Sequence, residues 1–565
     1  MAGNKKKKTR KASIAARCAT KAPKIQKSTA KKRTVASSVT SAPPGRPAGP
    51  SGPSGPNLLR TPNASGIASR SRLLKPKSEI LRHASHAVSR MIQADATGKH
   101  GASLKSLTLG KDVHAKHKKA VYAVTVETLK YYTVLAEVLD GITIPTAESR
   151  AHGKTDVLKV PDVPVSLVGA LSMPTACVLA KELLLGDGFS KQWIGPAERL
   201  VMEAEGALRG RVAELLAAKG VNQFQSQSQS LHALLPNAQN ALMAAAKMRK
   251  RTVRVNAPLV AGSVEEVMEV LQEEFQGRNG GTAVGRNAYV EDVLELPAGS
   301  DLHAHRLVKD GSVVLQSLAS CMPAVALMCG EEGWRPSTVV DACAAPGNKT
   351  THVASLMAQN NVANGTVYAF DRDPVRLERL KANVETTRSG GIITARCADF
   401  LTVDPCTSPY DGVDAILLDP SCSGSGTSVS RMDYLLPSAN EVAGRGVMYT
   451  DNRVKQLSAF QESAIRHAMS WPSVKRVVYS TCSVYVEENE RVVARVLAEG
   501  RERGFELVSC IPTWPRRGLS VVEDGEDGLS EADAAKVVRI DPLEDGTDGF
   551  FVCAWQRQIG RRLTE

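Results

Sequence analysis

The carboxyl-terminal half of the chain alternates short apolar segments with helical stretches. From Val313 onward, seven apolar segments are strand candidates, and helical segments separate most of them. This alternation predicts an α/β domain built on a largely parallel, doubly wound sheet. Such sheets bind ligands beside the carboxyl ends of their strands, so functional residues should lie directly after a strand. The candidates are Thr338–Asp341, Thr366–Phe370, Ile392–Ala395, Val413–Leu418, Val474–Tyr479, Phe505–Val508 and Phe550–Trp555.

Two regions of different character precede this α/β domain, which we assign to residues 313–565. Residues 78–246 carry apolar side chains at helical spacing with few strand signals, and they are predicted to form a mostly helical domain. Residues 247–312 contain a strand candidate at Thr252–Val255. A helix then starts at Ser263, with Glu266 at its capping-box position. This region is predicted to be a small α/β subdomain that binds the polymeric partner of the chain, which is identified below as RNA.

The formal net charge of +14 is concentrated in a tail at residues 1–77. The tail holds 19 Lys or Arg and no acidic residue, whereas the rest of the chain holds 53 basic and 58 acidic residues. Its abundance of Lys, Ala, Ser, Thr, Pro and Gly predicts disorder. The clusters Lys5–Lys8 and Lys31–Arg33 are typical of nuclear-import signals, so we expect a nuclear protein. A mitochondrial transit peptide is the alternative.

The cysteines indicate the redox compartment of the protein, and the most apolar run bears on whether the chain spans a membrane. Eleven cysteines are scattered without the two-residue gap of a zinc or redox motif. An odd count without a secretory signal favours free thiols in a reducing compartment, and we expect no metal. The run Val163–Ala180 contains Pro164, Pro174 and three hydroxyl side chains. It is therefore predicted to be a buried helix with breaks rather than a membrane span.

A loop of small residues follows the first strand and opens a helix. It reads Cys343–Ala344–Ala345–Pro346–Gly347–Asn348–Lys349. A tight turn at a helix N-terminus lets the backbone approach a ligand closely. The loop is not a P-loop, because Gly347 lies one position too early for the Gly-Lys-Thr signature and no glycine lies five residues before Gly347. Nor does the loop contain the three glycines of the dinucleotide-binding fingerprint. Taken alone, such a turn is more often structural than ligand-binding.

Acidic residues follow the second and third strands. Asp371 ends the second strand, where an acid accepts hydrogen bonds from ribose hydroxyls in nucleotide-binding sheets. This position favours Asp371 over Asp373, although a surface turn carboxylate is an equally good reading of either acid in isolation. Asp399 follows the third strand in the same way, where an acid could face an adenine amino group.

Two cysteines lie just past the fourth and fifth strands. The fourth strand runs into Asp419–Pro420–Ser421–Cys422, and the fifth into Ser480–Thr481–Cys482. A cysteine in a strand is ordinarily an inert small hydrophobe. Strands four and five of such a sheet are commonly neighbours, so these thiols could face one pocket although 60 positions separate them. This joint pattern favours catalysis over a structural role.

These motifs together resemble the Sun-type (NSUN, Fmu-like) family of RNA cytosine-5 methyltransferases, from about Arg254 to Trp555. The resemblance implies a Rossmann-like class I methyltransferase domain with S-adenosylmethionine as the methyl donor. It assigns cofactor binding to the loop Cys343 through Lys349 and to Asp371, Arg376 and Asp419, and the strand argument adds Asp399. It also implies that Cys482 is the nucleophile and that Cys422 helps to release the product.

The chemistry of cytosine-5 methylation would require a nucleophile, a cation and a proton acceptor, and these groups could supply them. Carbon 5 is a weak nucleophile, but a Cys482 thiolate that adds to carbon 6 would convert the ring into an enamine whose carbon 5 can attack. Lys349 would favour the thiolate and, with a protonated Asp419, would bind the negative charge on the ring. Elimination of the Cys482 thiolate would then need the proton on carbon 5 to be removed, and a second thiol nearby, Cys422, could help.

Departures from the family pattern indicate one branch of it. Pro420–Ser421 stands where Ala-Pro is usual, and Asn348 replaces a second glycine. Both resemble the branch that methylates large-subunit rRNA, as do Thr513–Ser520 and Gly549–Val552. DNA cytosine methyltransferases take their nucleophile from the fourth strand and have no use for a cysteine after the fifth. A tRNA methyltransferase and a non-catalytic RNA-binding assembly factor remain alternatives.

RNA is therefore the expected partner, and pre-ribosomal particles and a nucleolar location would follow from an rRNA substrate. Because the chain beyond the tail has a slight acidic excess, phosphate contacts must come from local basic patches. The candidates are Lys247–Arg254 and His114–Lys119. For the second patch, a solvated helix face is the simpler interpretation.

Overall fold

The computed structural model describes residues 73–97, 104–144, 165–221, 231–275, 284–330, 334–438, 451–521 and 528–558. The tail predicted to be disordered, together with its nuclear-import clusters, lies outside these residues apart from 73–77. The proposed domain boundaries after residues 77, 246 and 312 remain predictions.

The described residues between 79 and 248 are mostly helical. On α1 (Glu79–Thr97) the side chains of Leu81, Ala84, Val88 and Met91 recur at helical spacing and are buried. This stripe packs against α3 (Lys118–Lys130) and α6 (Met173–Leu185). A short antiparallel ribbon pairs β1 (Thr143–Ile144) with β2 (Val165–Ser166). The other helices are α2 (Leu104–Leu109), α4 (Tyr132–Leu139), α5 (Leu167–Ala170), α7 (Pro196–Glu203), α8 (Glu205–Ala218) and α9 (Asn237–Met248).

The apolar run predicted to be a broken, buried helix forms β2, α5 and α6 from residue 165 onward. Helix α6 begins after Ser172, whose hydroxyl accepts a hydrogen bond from the Thr175 backbone N–H, and Pro174 lies in its first turn. Residues Ala176–Ala180 have no exposed surface. The prediction is confirmed, and within the described ranges no helix is both long and apolar enough to cross a bilayer.

The small subdomain contains an antiparallel sheet of order β4-β5-β3-β6. Its strands are β3 (Arg251–Val255), β4 (Gly285–Arg286), β5 (Val293–Leu296) and β6 (Val313–Val314). Helix α10 (Val264–Phe275) buries Val267, Leu271 and Phe275 in the core of this subdomain. The Ser263 hydroxyl accepts a hydrogen bond from the Glu266 backbone N–H at 3.1 Å, as the capping pattern predicted. The sheet extends one strand past residue 312.

Strands and helices then alternate as the sequence predicted. In chain order the elements are α11 (Arg306–Lys309), α12 (Leu318–Met328), β7 (Thr338–Asp341), α13 (Asn348–Gln359), β8 (Thr366–Asp371), α14 (Pro374–Thr386), β9 (Ile393–Cys397), β10 (Ala415–Leu418), α15 (Ser428–Arg431), α16 (Asp451–Met469), β11 (Arg476–Thr481), α17 (Glu490–Glu502), β12 (Phe505–Val508), α18 (Glu531–Ala534), β13 (Val538–Ile540) and β14 (Phe550–Arg557).

The large sheet has the order β12-β14-β11-β10-β7-β8-β9. Strands β7 to β11 are parallel, whereas β14 runs antiparallel to β11, β12 and β13. Chain order reverses between β7 and β10, which makes the carboxyl ends of these two strands the expected ligand site. The predicted fold class is confirmed. The alternation of segments did not specify the direction of β14.

Side chains that alternate along the strands enter two separate cores. Val339, Ala415 and Leu417 pack with α12 and α13 on one face of the sheet. Val340, Ile416 and Leu418 pack with α16 and α17 on the other face. Helices therefore cover both faces, as expected of a doubly wound sheet, and the site lies at one edge of this rigid layer.

Candidate active site

The two predicted cysteines meet at the carboxyl ends of neighbouring strands. Strands β10 and β11 are parallel, with Leu418 opposite Tyr479. The chain past each strand therefore leaves the sheet at the same edge, and Cys422 Sγ lies 3.3 Å from Cys482 Sγ. Both side chains are partly buried. The strand argument thus correctly brings together two thiols that are 60 residues apart.

A cluster of buried serines ties the two cysteine loops to each other. The hydroxyl of Ser483 lies 3.0 Å from that of Ser423 and 3.2 Å from that of Ser425. The Gly426 N–H also donates to the Cys482 carbonyl at 2.9 Å. These contacts fix the backbone on both sides of the thiol pair, so its geometry does not depend on the sulfur contact alone.

A third loop, before β14, closes over the first two. The Gly549 N–H donates to the Gly426 carbonyl at 2.9 Å. A Cβ at Gly426 would lie only 2.0 Å from the Gly549 carbonyl oxygen. Glycine is therefore required at Gly426 by the close approach of two backbones.

Glu488 is a support that the sequence analysis did not identify. Its fully buried carboxylate accepts hydrogen bonds from the Ser423 N–H at 2.9 Å and from Gln461 Nε2 at 3.1 Å. Gln461 also donates to the Ser421 carbonyl at 3.1 Å. The backbone is thereby held on both sides of Cys422. No sequence signal distinguished Glu488 from a surface acid, because its partners come from elements far away in the chain.

The two thiols differ in their electrostatic surroundings. The hydrogen bond with Cys482 raises the pKa of Cys422 well above its ordinary value, and burial and the nearby Glu488 and Asp419 carboxylates raise it further. Cys422 therefore keeps its proton and can donate it in a hydrogen bond to the sulfur of Cys482. This arrangement disfavours Cys422 as the attacking thiolate.

Lys349 supplies the positive charge of the site. Its Nζ lies 2.7 Å from Asp419 Oδ2 and 5.2 Å from the centre of the Phe550 ring. Burial lowers the pKa of Lys349, but Asp419 outweighs burial with help from Cys482 and Asp341, so the pKa lies above its ordinary value. Lys349 is therefore a cation beside the thiol pair.

Asp419 is positioned by two partners. Besides Lys349, the Ser480 hydroxyl donates to its Oδ1 at 3.0 Å. The sequence argument assigned a protonated carboxyl to Asp419, whereas here the carboxyl forms an ion pair. Any hydrogen bond from Asp419 to a substrate ring would first require that this pair with Lys349 be rearranged.

Groups on β8 and α14 hold the backbone of the loop from Cys343 to Lys349. Gly347 has a φ of +107° and is the N-cap of α13, so the turn requires a left-handed residue. The Ala345 N–H donates to Asp371 Oδ2 at 3.3 Å, and Arg376 donates to the Ala345 carbonyl at 2.6 Å. Arg376 also lies 3.5 Å from Asp371. These contacts place Asp371 and Arg376 at the loop.

The structure separates the other two acids from this loop. Asp373 caps α14 by accepting from the Val375 N–H at 2.8 Å, which agrees with the preference for Asp371. Asp399 accepts from the Leu401 N–H at 3.1 Å and lies 4.0 Å from an Arg372 nitrogen. Asp399 is thus a local turn cap at the end of β9, and its suggested contact with an adenine remains a prediction.

Asp341, at the end of β7, was not assigned to the site from the sequence. The Thr350 hydroxyl donates to its Oδ2 at 2.7 Å, whereas its buried Oδ1 has no hydrogen-bond partner among the described residues. Burial raises the pKa of Asp341 to about 7, and the nearby Asp419 carboxylate contributes to the shift. Asp341 ends β7 as Asp371 ends β8, so the expectation that functional residues lie at strand ends would have selected Asp341 as well.

These groups fit a ligand of the adenosyl type. A left-handed glycine turn, a buried acid at the end of β8 and an unpartnered carboxylate oxygen on Asp341 surround one loop. Carboxylates accept hydrogen bonds from ribose hydroxyls and attract a cationic amino group. Within the described residues, no cluster of His, Cys, Asp or Glu could hold a metal ion.

Comparison with known proteins agrees with this geometry. Residues 331–556 match the family described as 16S rRNA methyltransferase RsmB/F. The chain is 35% identical to the 25S rRNA (cytosine-C(5))-methyltransferase NSUN5 of Arabidopsis thaliana, over 84% of this chain and 72% of that protein. It is 32% identical to the 28S rRNA (cytosine-C(5))-methyltransferase of Mus musculus, over 84% of this chain and 90% of that protein.

A solved structure supports the fold alone. The crystal structure of PH0851 covers 86% of this chain and 99% of its own length, with a TM-score of 0.53 and 20% sequence identity. At this identity the likeness extends to the arrangement of the elements and not to the reaction.

Proposed function

The chain belongs to the family of rRNA (cytosine-C(5))-methyltransferases that these relatives represent, and we propose that it methylates carbon 5 of a cytosine in large-subunit rRNA, with S-adenosylmethionine as the methyl donor. The observation that carries this proposal is the contact between Cys422 and Cys482, at 3.3 Å, beside the cation of Lys349. Binding of RNA alone has no need for two thiols at this distance.

The reaction begins at Cys482. Its thiolate adds to carbon 6 of the cytosine, forming a carbon–sulfur bond and leaving the ring as an enamine with negative charge at nitrogen 3 and the carbonyl oxygen. Lys349 lies close enough to stabilise both the thiolate and this developing charge. Asp419, fixed by Lys349 and Ser480, orients the cation and lies beside the ring.

S-adenosylmethionine supplies an electrophilic methyl group when bound. We propose that the loop Cys343 to Lys349 and the side chains Asp371, Arg376 and Asp419 hold it, with Asp341 as an additional acceptor. We also propose that Asp399 accepts a hydrogen bond from the adenine amino group. Carbon 5 of the enamine would then form its bond to the methyl group as the methyl–sulfur bond of the sulfonium breaks and S-adenosylhomocysteine leaves, so that carbon 5 would carry both a methyl group and a proton.

Cys422 completes the reaction by accepting that proton. Once the sulfur of Cys482 is bonded to carbon 6, it no longer accepts the hydrogen bond that raises the pKa of Cys422. Loss of this largest contribution makes deprotonation of Cys422 easier, and its thiolate then removes the proton on carbon 5. The electron pair re-forms the double bond between carbons 5 and 6, the carbon–sulfur bond breaks, and Cys482 leaves as a thiolate.

Bisulfite sequencing of total RNA tests the proposal. Cells with the wild-type chain should contain one rRNA cytosine that resists conversion, and this resistance should disappear with Cys482→Ala. Cys406→Ala, which changes an exposed cysteine of the same domain, is the matched control and should keep the mark. Identical conversion in wild type and Cys482→Ala at every cytosine would remove the catalytic claim, and a lost mark in tRNA would select the alternative substrate.

The proposed substrate also sets the expected location. We propose that the chain acts in the nucleus, in the nucleolus where rRNA is made, and that pre-ribosomal particles are its partners. The basic clusters of the tail and the rRNA named for its relatives support this assignment. Fluorescence microscopy of the tagged full chain would contradict it if the signal were mitochondrial.

A further inference from the structure

A cleft of about 690 Å³ lies where three parts of the described chain meet. Lys247 at the end of α9 and Lys250 before β3 line one wall, and Asn348 of the cofactor loop lines another. The third wall includes Ser430 on α15 and Asp548 before β14. The volume of the cleft falls within the range of roughly 300–1,000 Å³ that is typical of pockets for small organic ligands.

The cleft adjoins the proposed catalytic residues. Asn348 directly precedes Lys349, and Asp548 lies two residues before Phe550, whose ring is 5.2 Å from Lys349 Nζ. Ser430 belongs to the segment that leaves Cys422. A polymer that places one unit at the thiol pair can therefore continue into this cleft without leaving the surface.

Positive charge dominates the wall formed by the end of α9 and the start of β3. Lys247 is exposed, and Lys250, which pairs with Glu295 at 2.7 Å, keeps 55% of its side chain exposed. Asp548 is already neutralised, since Arg249 lies 2.8 Å from it and the Ser430 hydroxyl donates to it at 2.6 Å. The lining of the cleft thus has four Lys or Arg side chains (Lys247, Arg249, Lys250 and Arg251) and two acids (Asp301 and Asp548).

We propose that this cleft holds the RNA nucleotides that adjoin the target cytosine, with Lys247 and Lys250 contacting their phosphates. This inference rests on the proposed function. Phosphate contacts set the register of a nucleic acid on a protein, so these lysines determine which base reaches Cys482. They act by positioning the RNA and take no part in the chemistry.

Salt dependence of RNA binding tests the assignment. In Lys247→Ala/Lys250→Ala, the slope of log affinity against log salt should become shallower by about 0.7 for each lost contact to a single strand. The KM for RNA should rise at least tenfold at moderate salt while kcat changes little. Lys105→Ala/Lys111→Ala removes the same charge from exposed positions outside both candidate basic patches and is the matched control. Equal slopes for the two double variants would overturn the proposal.

Neutral phosphate analogues locate the contact. A methylphosphonate placed within two nucleotides of the target should weaken binding to wild type and cause little further loss in Lys247→Ala/Lys250→Ala. Additive losses at each of these positions would contradict the proposal. Binding is measured without methyl transfer, so the result stands apart from the test of Cys482.

A separate observation concerns the segment that follows Cys422. After α15 it turns at Met432, which has a φ of +63°, and then buries Leu435 and Leu436 in the core of the amino-terminal helices. The Tyr122 hydroxyl lies 3.5 Å from Met432 Sδ. The Ser438 N–H donates to Asp95 Oδ2 at 3.1 Å. The segment that begins at a catalytic loop of the α/β domain therefore ends inside the helical region.

We infer that the helical region positions Cys422 for the release step. Proton removal from carbon 5 requires the thiol within about 3.5 Å of that atom, and a loop tethered at both ends keeps this distance better than a free one. Glu488 holds the near end of the loop through the Ser423 N–H, and Leu435 holds the far end.

Accumulation of a covalent protein–RNA adduct tests this second inference. Leu435→Ala should accumulate adduct as Cys422→Ala does, because carbon 5 keeps its proton, while single-turnover methyl transfer stays near the wild-type rate. Leu208→Ala, at a fully buried leucine on α8, is the matched control for loss of core packing and should not accumulate it. Tyr122→Phe, which removes only the hydroxyl contact, should accumulate less adduct than Leu435→Ala.

Two outcomes keep this inference apart from the proposed function. Adduct with Cys422→Ala but none with Leu435→Ala would overturn the positioning role alone. Absence of adduct with Cys422→Ala would instead contradict the proposed release chemistry.

Discussion

Two chemically identical side chains acquire different tasks from their partners. Cys422 contacts Cys482 on one side and lies near the Glu488 and Asp419 carboxylates on the other, and each neighbour disfavours its thiolate. Cys482 instead interacts with the cation of Lys349. The division that we propose between nucleophile and proton carrier therefore follows from the positions of the two thiols and not from their chemical type.

This difference predicts selective alkylation. At pH 8, in the free protein, iodoacetamide should modify Cys482 at least tenfold faster than Cys422, because only the thiolate reacts. In Cys482→Ala the reactivity of Cys422 should increase, since the hydrogen bond that raises its pKa is gone. Peptide mass spectrometry measures both rates. Faster labelling of Cys422 in the wild type would contradict the assignment.

Asp341 predicts a pH dependence of stability. Its pKa rises on folding from 3.8 to about 7, so the folded state binds this proton more tightly than the unfolded state. The contribution of Asp341 to the free energy of unfolding is therefore fully present below pH 4, and this contribution is lost as the pH rises toward 7. In Asp341→Asn this loss is absent, so the Tm difference between variant and wild type should widen by several degrees from pH 5 to pH 7. Asp411→Asn, at an exposed acid, should show a constant difference.

At the scale of elements, the site depends on three loops that touch through their backbones. Gly426 lies at the centre of this contact, between the Cys482 carbonyl and the Gly549 N–H. Strands β11 and β14 are neighbours in the sheet, which brings the loops after β11 and before β14 to the same edge. Close backbone approach of this kind leaves no room for a side chain.

Gly426→Ala should therefore damage both stability and activity. Its Cβ would lie 2.0 Å from the Gly549 carbonyl oxygen, so the backbone must move. We expect a destabilisation of about 1–3 kcal/mol, typical of an overpacked site. Methyl transfer should be lost even at temperatures where the variant is folded. Gly412→Ala, where the added Cβ meets no atom within 4 Å, is the control and should resemble wild type in calorimetry and activity.

Much of this arrangement could be predicted from the order of strands. The positions of β7, β8, β10 and β11 followed from apolar runs, and the meeting of Cys422 with Cys482 followed from the rule that parallel neighbours end at one edge. The antiparallel direction of β14 could not be predicted, because an apolar run carries no direction. The support from Glu488 also escaped prediction, since a buried acid is recognised only by partners that folding brings to it.

The pairing of Lys349 with Asp419 illustrates the same limit. Sequence reasoning identified both residues and assigned a cation to the first, but it gave the second a protonated carboxyl. The 2.7 Å contact depends on the relative heights of α13 and the end of β10, which no local pattern encodes. The sequence thus indicated that both residues belong to one site but gave no prediction that they form an ion pair.

At the scale of the whole molecule, charge is divided unevenly. The first 77 residues hold 19 basic and no acidic side chains, whereas the remainder has a slight acidic excess. A basic arm attracts RNA over long distances, while specific contacts require local patches such as the cleft at Lys247 and Lys250. Capture and positioning of the substrate are thus assigned to different parts of the chain.

Removal of residues 2–72 should therefore slow RNA association at low salt, with little effect at high salt where the charges are screened. The kcat at saturating RNA should stay near that of the full chain. Stopped-flow measurements between 50 mM and 500 mM salt check this expectation. A control chain with a tail of equal length but with Gln at each Lys and Arg should behave like the truncated one. An equal loss at every salt concentration would contradict the electrostatic account.

The central claim is that Cys482 bonds to the cytosine and Cys422 releases it. The most direct measurement is mass spectrometry of the covalent complex formed when Cys422→Ala is incubated with substrate RNA and the methyl donor. We expect a complex that survives denaturation, in which the methylated cytosine is bonded to Cys482, and no complex with Cys422→Ala/Cys482→Ala. Attachment at any other residue, or normal turnover by Cys482→Ala, would contradict the mechanism.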